Sequence, residues 1–217
     1  MAASPTGPTP PTARGGAPEP SRVYALPRLR AATAADAPEI VQLLEAVAVE
    51  GTLGLTPGSL RVEDEAERLA RLDLRQACGL VVVVAGRVRA FGIAVRGTEQ
   101  ALAHTAGVSI VVAGDCRRQG FGGLLLGGLR AWAAAAGVRK LCASVLERNG
   151  PALALFHRAG YAVEGLRRLQ IQTPTGLADE VLFGCLIDPA AGHGQPGPGR
   201  PGAPRARHPG RRGGRRA

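Results

Sequence analysis

Arg117-Arg118-Gln119-Gly120-Phe121-Gly122-Gly123 joins the end of a Val-rich run to an apolar run rich in Leu and Ala. Closely spaced glycines let main-chain N–H groups approach a ligand, and the first turn of a following helix adds unpaired donors and a favourable dipole. The stretch reads as a strand-to-helix turn that can wrap an anion. A tight small-residue turn is the plainer alternative.

Working outward, Gly107 to Ala113 predicts the strand that enters the turn, and Phe121 to about Ala136 the helix that leaves it, stopped by Gly137. Leu80 to Ala85 and Val88 to Val95 read as two further strands, joined at Gly86-Arg87 as a hairpin. Upstream, residues 22–30 can open the fold as a strand. Asp36 is predicted to cap a helix, with Glu39 completing a capping box and Ile40, Leu43, Leu44 and Val47 forming its apolar stripe. After a break at Gly51 to Gly58, Ser59 is predicted to cap a second helix carrying Glu63, Asp64 and Glu65 in its first turns. Downstream, a strand over 139–145, a helix over about 150–159 and strands near 161–172 and 180–187 complete a mixed α/β arrangement. Asn149 would cap that last helix, with Pro151 suited to its first turn.

Residues 1–21 are dominated by Pro, Gly, Ala and Thr, and 188–217 by Pro, Gly and Arg, so neither can offset its own ordering entropy. Both are expected to be tails around one domain over 22–187. The formal charge of +10 suggests a polyanion partner, yet seven arginines against Asp188 put +6 of it in the C-terminal tail. Such a tail attracts any polyanion in a salt-dependent way, and no zinc-finger spacing or aromatic RNA-binding strand accompanies it. A nucleic-acid contact, if made, is expected to be nonspecific. Cys78, Cys116, Cys142 and Cys185 lack metal-site spacing, which predicts reduced thiols, no metal and a cytoplasmic protein. No segment has the length and hydrophobicity to span a membrane.

The turn resembles the coenzyme A loop of the GCN5-related N-acetyltransferase (GNAT) family, whose motif reads Arg or Gln, two residues, Gly, one residue, then Gly or Ala. Here these are Arg117, Gly120 and Gly122. The resemblance continues in register to Asn149-Gly150-Pro151-Ala152-Leu153-Ala154-Leu155-Phe156-His157-Arg158-Ala159-Gly160-Tyr161, which is similar to the family's second signature. It implies the GNAT α/β fold, with a mixed, largely antiparallel central sheet flanked by helices. Within the family, His104 through Asp179 looks most like bacterial members that acetylate small amines or amino acids, and Glu50-Gly51-Thr52 fits that subgroup's first substrate loop.

The resemblance further implies acetyl-CoA as cosubstrate, no metal, and a set of roles. Arg117, Arg118, Gln119, Gly120, Phe121, Gly122 and Gly123 would cradle the pyrophosphate. Ile110, Val111 and Val112 would run beside the pantetheine arm, leaving an N–H for the thioester carbonyl, and Asn149 would bond the pantetheine or order its loop. Phe156 stands where many members have a tyrosine that protonates the departing thiolate, and phenylalanine has no proton to give. The subgroup's acidic residue aligns with Gly107, which has no side chain. Candidates for the remaining chemistry are His104, which could relay a proton through water, Glu50, which could recognise a cationic amine, and Glu147 and Glu180. The expected activity is direct transfer of an acetyl group to a primary amine of a small molecule or amino acid. The alternatives are a protein or ribosomal-protein N-acetyltransferase docked by the tail, and a non-catalytic acyl-CoA sensor. A homodimer is plausible, with no interface identifiable from sequence.

Overall fold

The computed structural model describes residues 26–187, apart from 53 and 174. The tails expected over 1–21 and 188–217 lie outside the described residues, as do positions 22–25 of the expected opening strand. Strands β1 (Arg28–Ala31), β2 (Ala77–Val84), β3 (Arg87–Arg96), β4 (Thr105–Val112), β5 (Lys140–Leu146), β6 (Ala162–Thr173) and β7 (Gly176–Leu186) form one sheet in the order β1-β2-β3-β4-β5-β7-β6. Every neighbouring pair is antiparallel except β4–β5.

Strand alternation sorts the core into two layers. Val81, Phe91 and Val111 project to helices α1 (Ala37–Val49) and α2 (Val62–Ala70), meeting Ile40, Leu43, Val47 and Leu69. Their neighbours Val82 and Ala90 project to the opposite face, against Phe121 and Leu125 of α3 (Phe121–Ala135). Further along that face, α3 and α4 (Gly150–Arg158) share a cluster built on Leu129, Leu141, Phe156 and Phe183. The apolar stripe predicted for α1 thus faces β3 and β4. The mixed α/β expectation holds.

Three local expectations need correction. A 3-10 turn over Ala34–Asp36 precedes α1, and Asp36 stands at the N-cap position of α1 as predicted, but its carboxylate makes no capping bond to that helix. The Asp36 carboxylate reaches back to accept from Thr33 N (2.8 Å), Thr33 Oγ1 (3.0 Å) and both Arg30 terminal nitrogens (2.7 Å each). Glu39, released from a box, accepts from Val88 N at 2.7 Å and ties α1 to the β2–β3 turn. That turn is centred on Ala85 and Gly86, at φ 49° and 77°, one residue earlier than expected; two positive φ values match the twist of the flanking strands. Finally, α2 begins at Val62 rather than after Ser59, whose hydroxyl donates to Thr56 O (2.6 Å). Glu45 instead pins the intervening loop by accepting from Gly58 N (2.6 Å) and Leu60 N (3.1 Å).

The Arg30 guanidinium, aided by Thr33, draws the Asp36 pKa down to about 2 against the opposing effect of burial. A depressed carboxylate contributes stability that is complete above its ordinary pKa of 3.8 and lost as pH falls through about 2. Asp36→Asn is therefore expected to lower unfolding free energy by about 1–2 kcal/mol at pH 7. Urea titrations of both proteins should converge as pH falls below about 4; a gap unchanged in acid would contradict the assignment.

Candidate active site

The two parallel strands at the centre of the sheet stay together only briefly. β4 and β5 pair through Thr105–Gly107 and Lys140–Cys142, and beyond those residues they diverge. β4 remains bonded to β3 along its other edge through Val112, so alternate N–H and C=O groups of 108–112 open on the split. A cleft of about 460 Å³ passes through it. Val108, Ile110, Asn149 and Phe156 line the side toward α3 and α4, whereas Phe91, Ile93, Ser109, Leu44 and Arg68 line the side toward α1 and α2.

The glycine loop stands at one mouth of this split. After a 3-10 turn over Gly114–Cys116, Arg118 (φ 66°) and Gly120 (φ 86°) take left-handed conformations that turn the chain into α3. Leu124 N donates to Gly120 O (3.1 Å), so the N–H groups of Phe121, Gly122 and Gly123 have no intrahelical acceptor. A Cβ at Gly122 would lie 2.5 Å from Leu155 Cδ2, which shows how closely the loop approaches α4. Between α3 and α4 a groove continues from Gly120 and Gly123 past Arg130 and Arg158, adding positive charge.

Buttressing comes from side chains. Arg89 donates to Cys116 Sγ (3.1 Å) and pairs with Asp115, and Gln119 Nε2 donates to Asp115 O (3.2 Å). Phe121 is buried beside Val82, Ala90 and Leu125. Arg117 Nη2 donates to both Glu50 oxygens (2.8 and 2.6 Å), and its Nε to Val112 O (3.3 Å). Glu50, expected from sequence to face the amine, is thus committed to the loop arginine and does not line the cleft. The structure does not bring His104 there either. It is exposed at the opposite end of β4, where its carbonyl accepts from Arg139 N (2.8 Å) and Lys140 N (3.2 Å). Five residues at about 3.3 Å each separate it from Ser109.

Ile110 and Val111 do line the cleft, while Val112 serves through its carbonyl. Asn149 caps α4 as predicted, with Oδ1 accepting from Ala152 N (3.2 Å), and reaches Thr52 O through Nδ2 (3.5 Å). Phe156 is buried along the cleft wall, edge-to-face with Tyr161 (5.0 Å) and stacked on Phe183 (5.6 Å). The Tyr161 hydroxyl is buried without a hydrogen-bond partner among the described residues, and burial drives its pKa upward, so it stays protonated. Glu147 lies outside the cleft, whereas Glu180 lines it. Sequence reasoning missed Ser109, Ser144 and Arg68, which also line it. The two serines were signalled only as single polar positions inside apolar strands.

Residues 51–161 match the acetyltransferase (GNAT) family. The chain belongs to the GNAT family. It is accordingly an acetyl-CoA-dependent acetyltransferase. Solved GNAT-like structures agree in fold. A GNAT-family acetyltransferase from Streptococcus pneumoniae is 25% identical at TM-score 0.69, covering 75% of this chain and 100% of its own. A GCN5-related N-acetyltransferase from Kribbella flavida is 25% identical at TM-score 0.66, covering 74% and 97%. An acetyltransferase of Salmonella typhimurium, solved with its cofactor acetyl-CoA, shares the fold at 19% identity and TM-score 0.70, covering 75% and 95%. No curated protein sequence matches. The GNAT cosubstrate fits the residues present: unpaired N–H donors and flanking arginines suit a pyrophosphate, and the β4–β5 split suits an extended arm. Among the described residues no group of His, Cys, Asp and Glu could hold a metal ion.

Proposed function

We propose that this GNAT enzyme acetylates the primary amine of a small molecule or amino acid, by direct transfer within a ternary complex. The observation that carries this reading is that two loops, tied together, border the acceptor end of the cleft. Arg148 donates to Gly51 O (3.2 Å) from one side chain nitrogen and to Thr175 Oγ1 (2.8 Å) from another, tying the loop before α2 to the β6–β7 turn. Leu55, Leu60 and Ile171 from these two walls line the cavity beneath. Such a narrow, mostly apolar pocket between two loops suits a compact amine better than an extended polypeptide.

The chain's own groups support direct transfer. Acetyl-CoA, as substrate, supplies the acetyl group as a thioester. The β4 edge would orient its carbonyl, and the α3 N-terminus and Gly120–Gly123 backbone would hold its phosphates. Among the described residues no cysteine or histidine lines the cleft, which favours transfer without a covalent acetyl-enzyme, and Cys116 is buried against Arg89. Phe156 gives no proton, and a thiolate of modest basicity leaves without one. Four unpaired, separated cysteines support a cytoplasmic setting.

Free-thiol release from acetyl-CoA, measured with panels of aliphatic amines, amino acids and peptide N-termini, tests the proposal. Turnover of small amines is expected; transfer confined to peptides, or acetyl-CoA binding without release, would overturn it. Removal of residues 189–217 is expected to leave small-amine kcat/KM within about twofold, because the described residues that line the cleft all lie between Leu44 and Glu180. A larger loss on truncation would instead assign the tail to acceptor docking.

A further inference from the structure

Among the described residues that line the cleft, Glu180 is the only acidic side chain, and it is 8% exposed. β4 presents no ionisable side chain from Thr105 to Val112. The carboxylate comes from β7, where Glu180 stands opposite Leu146 of β5 and Arg167 of β6. Residues opposite one another in antiparallel strands project from the same face. Ser144, two residues before Leu146, shares that face. Ser109 joins it from β4, because Val111, two residues on, packs toward α1. Glu180, Ser144 and Ser109 therefore border the split on the side where the acceptor pocket lies, opposite the α3–α4 groove.

A bend in the hairpin aims Glu180 inward. The pairing of β6 with β7 jumps from Arg167↔Glu180 to Ile171↔Ala178, so residues 168–170 oppose Asp179 alone. Asp179 holds this bulge by accepting from Leu169 N (2.8 Å) and Arg168 Nη1 (2.8 Å), with Leu169 at φ 49°. Either side of the bulge, Glu180 and Ile171 both reach the cavity. The Glu180 carboxylate accepts from Arg167 Nη1 at 3.2 Å through Oε2, and Oε1 accepts no hydrogen bond from the described residues. The Arg167 side chain is 54% exposed, so this pairing is weak and its guanidinium can turn to solvent.

We propose that Glu180 receives the acceptor's ammonium and takes its proton as the amine attacks, an assignment that rests on the small-amine reading above. The acceptor enters as R–NH3+. One proton passes from nitrogen to the Glu180 carboxylate, which becomes a carboxylic acid and returns it to solvent. The freed lone pair forms the C–N bond to the acetyl carbonyl carbon, the C–S bond breaks as the thiolate leaves unprotonated, and the second nitrogen proton then passes through solvent to that thiolate to give free coenzyme A. Arg167 competes with the ammonium for the same carboxylate. The preferred acceptors are cationic amines with an apolar body that fits against Leu44, Phe91, Ile93 and Ile171.

The test compares the full-length wild type, Glu180→Gln and Arg167→Ala by steady-state kinetics with the best amine of the panel, and by calorimetry with acetyl-CoA alone. Glu180→Gln keeps the size of the side chain and removes its charge. It is expected to lower kcat/KM about 30- to 100-fold, the loss of one charge-assisted contact, with a raised KM for the amine and acetyl-CoA affinity within about twofold. Arg167→Ala is expected to lower the amine KM, an effect that a merely structural ion pair would not produce. Three results overturn the proposal: kcat/KM of Glu180→Gln within threefold of wild type, a parallel loss of acetyl-CoA affinity, or an amine KM that rises in Arg167→Ala. A wild type that binds acetyl-CoA but transfers to none of the amines overturns the small-amine reading, and this assignment with it.

Discussion

Aspartate at position 122 is expected to weaken acetyl-CoA binding at least about a hundredfold while leaving a folded protein. The N–H groups of Phe121, Gly122 and Gly123 have no intrahelical acceptor and sit at the positive end of a helix that runs from Phe121 to Ala135. A carboxylate in that first turn would occupy the donors itself and repel an incoming pyrophosphate. Losing two charge-assisted hydrogen bonds of about 1.5–3 kcal/mol each accounts for a factor of about 100 or more. The new side chain also meets Leu155, since even a Cβ would fall 2.5 Å from its Cδ2. Gly122→Ala separates the two causes, because it imposes the steric demand alone on the movable end of a leucine. Its acetyl-CoA affinity is expected within about tenfold of wild type. Calorimetry on both variants, with thermal melts as the control for folding, decides the matter. A Gly122→Asp protein that binds acetyl-CoA within threefold of wild type would remove the loop from the cosubstrate site.

What was legible in the sequence follows the range of the interaction that determines it. The glycine loop, the α4 cap at Asn149 and the β2–β3 hairpin depend on neighbours a few residues away, and each was found within a residue of its place. Even there, the Ser59 cap was misplaced and the Asp36 carboxylate turned back from the helix it precedes, because short turns before a helix compete with direct capping at little cost. Contacts between distant segments were not legible. Glu50 and Arg117, 67 positions apart, read as separate functional residues until the fold joined them as one ion pair. His104 was suggested by its chemistry, but strand direction puts it at the paired end of β4, away from the split. Glu180 was one acid among several. Its place depends on the β5–β7 register and on a bulge of residues 168–170, neither of which has a local signature beyond the acid at Asp179.

Phe183→Ala is expected to be the most destabilising of the substitutions considered, and its reason connects the core to the cleft. Phe183 is 1% exposed on β7, stacked on Phe156 at 5.6 Å and edge-to-face with His157 at 5.2 Å. Truncating a buried phenylalanine removes its transfer free energy and leaves a cavity, a loss of about 3–5 kcal/mol. For a domain of this size that corresponds to a fall in Tm of about 10 °C. The aromatic contacts make collapse of the cavity difficult. Phe156 is held by Tyr161 on one side and by Phe183 on the other, and it also forms part of the cleft wall. Filling the void would draw Phe156 out of that wall, so the structure must tolerate either an empty cavity or a reshaped cleft. Below the melting transition, turnover should therefore fall further than acetyl-CoA affinity, because the loop donors rest on α3 and its own packing against β2 and β3. Phe183→Leu retains much of the volume and is expected to cost less than about 2 kcal/mol. Denaturant unfolding of the two variants, paired with kinetics at a temperature where both are folded, tests the argument. A loss below about 1 kcal/mol for the alanine variant would mean that the stacked pair does not support this wall, and Phe156 would have to be held by Tyr161 alone.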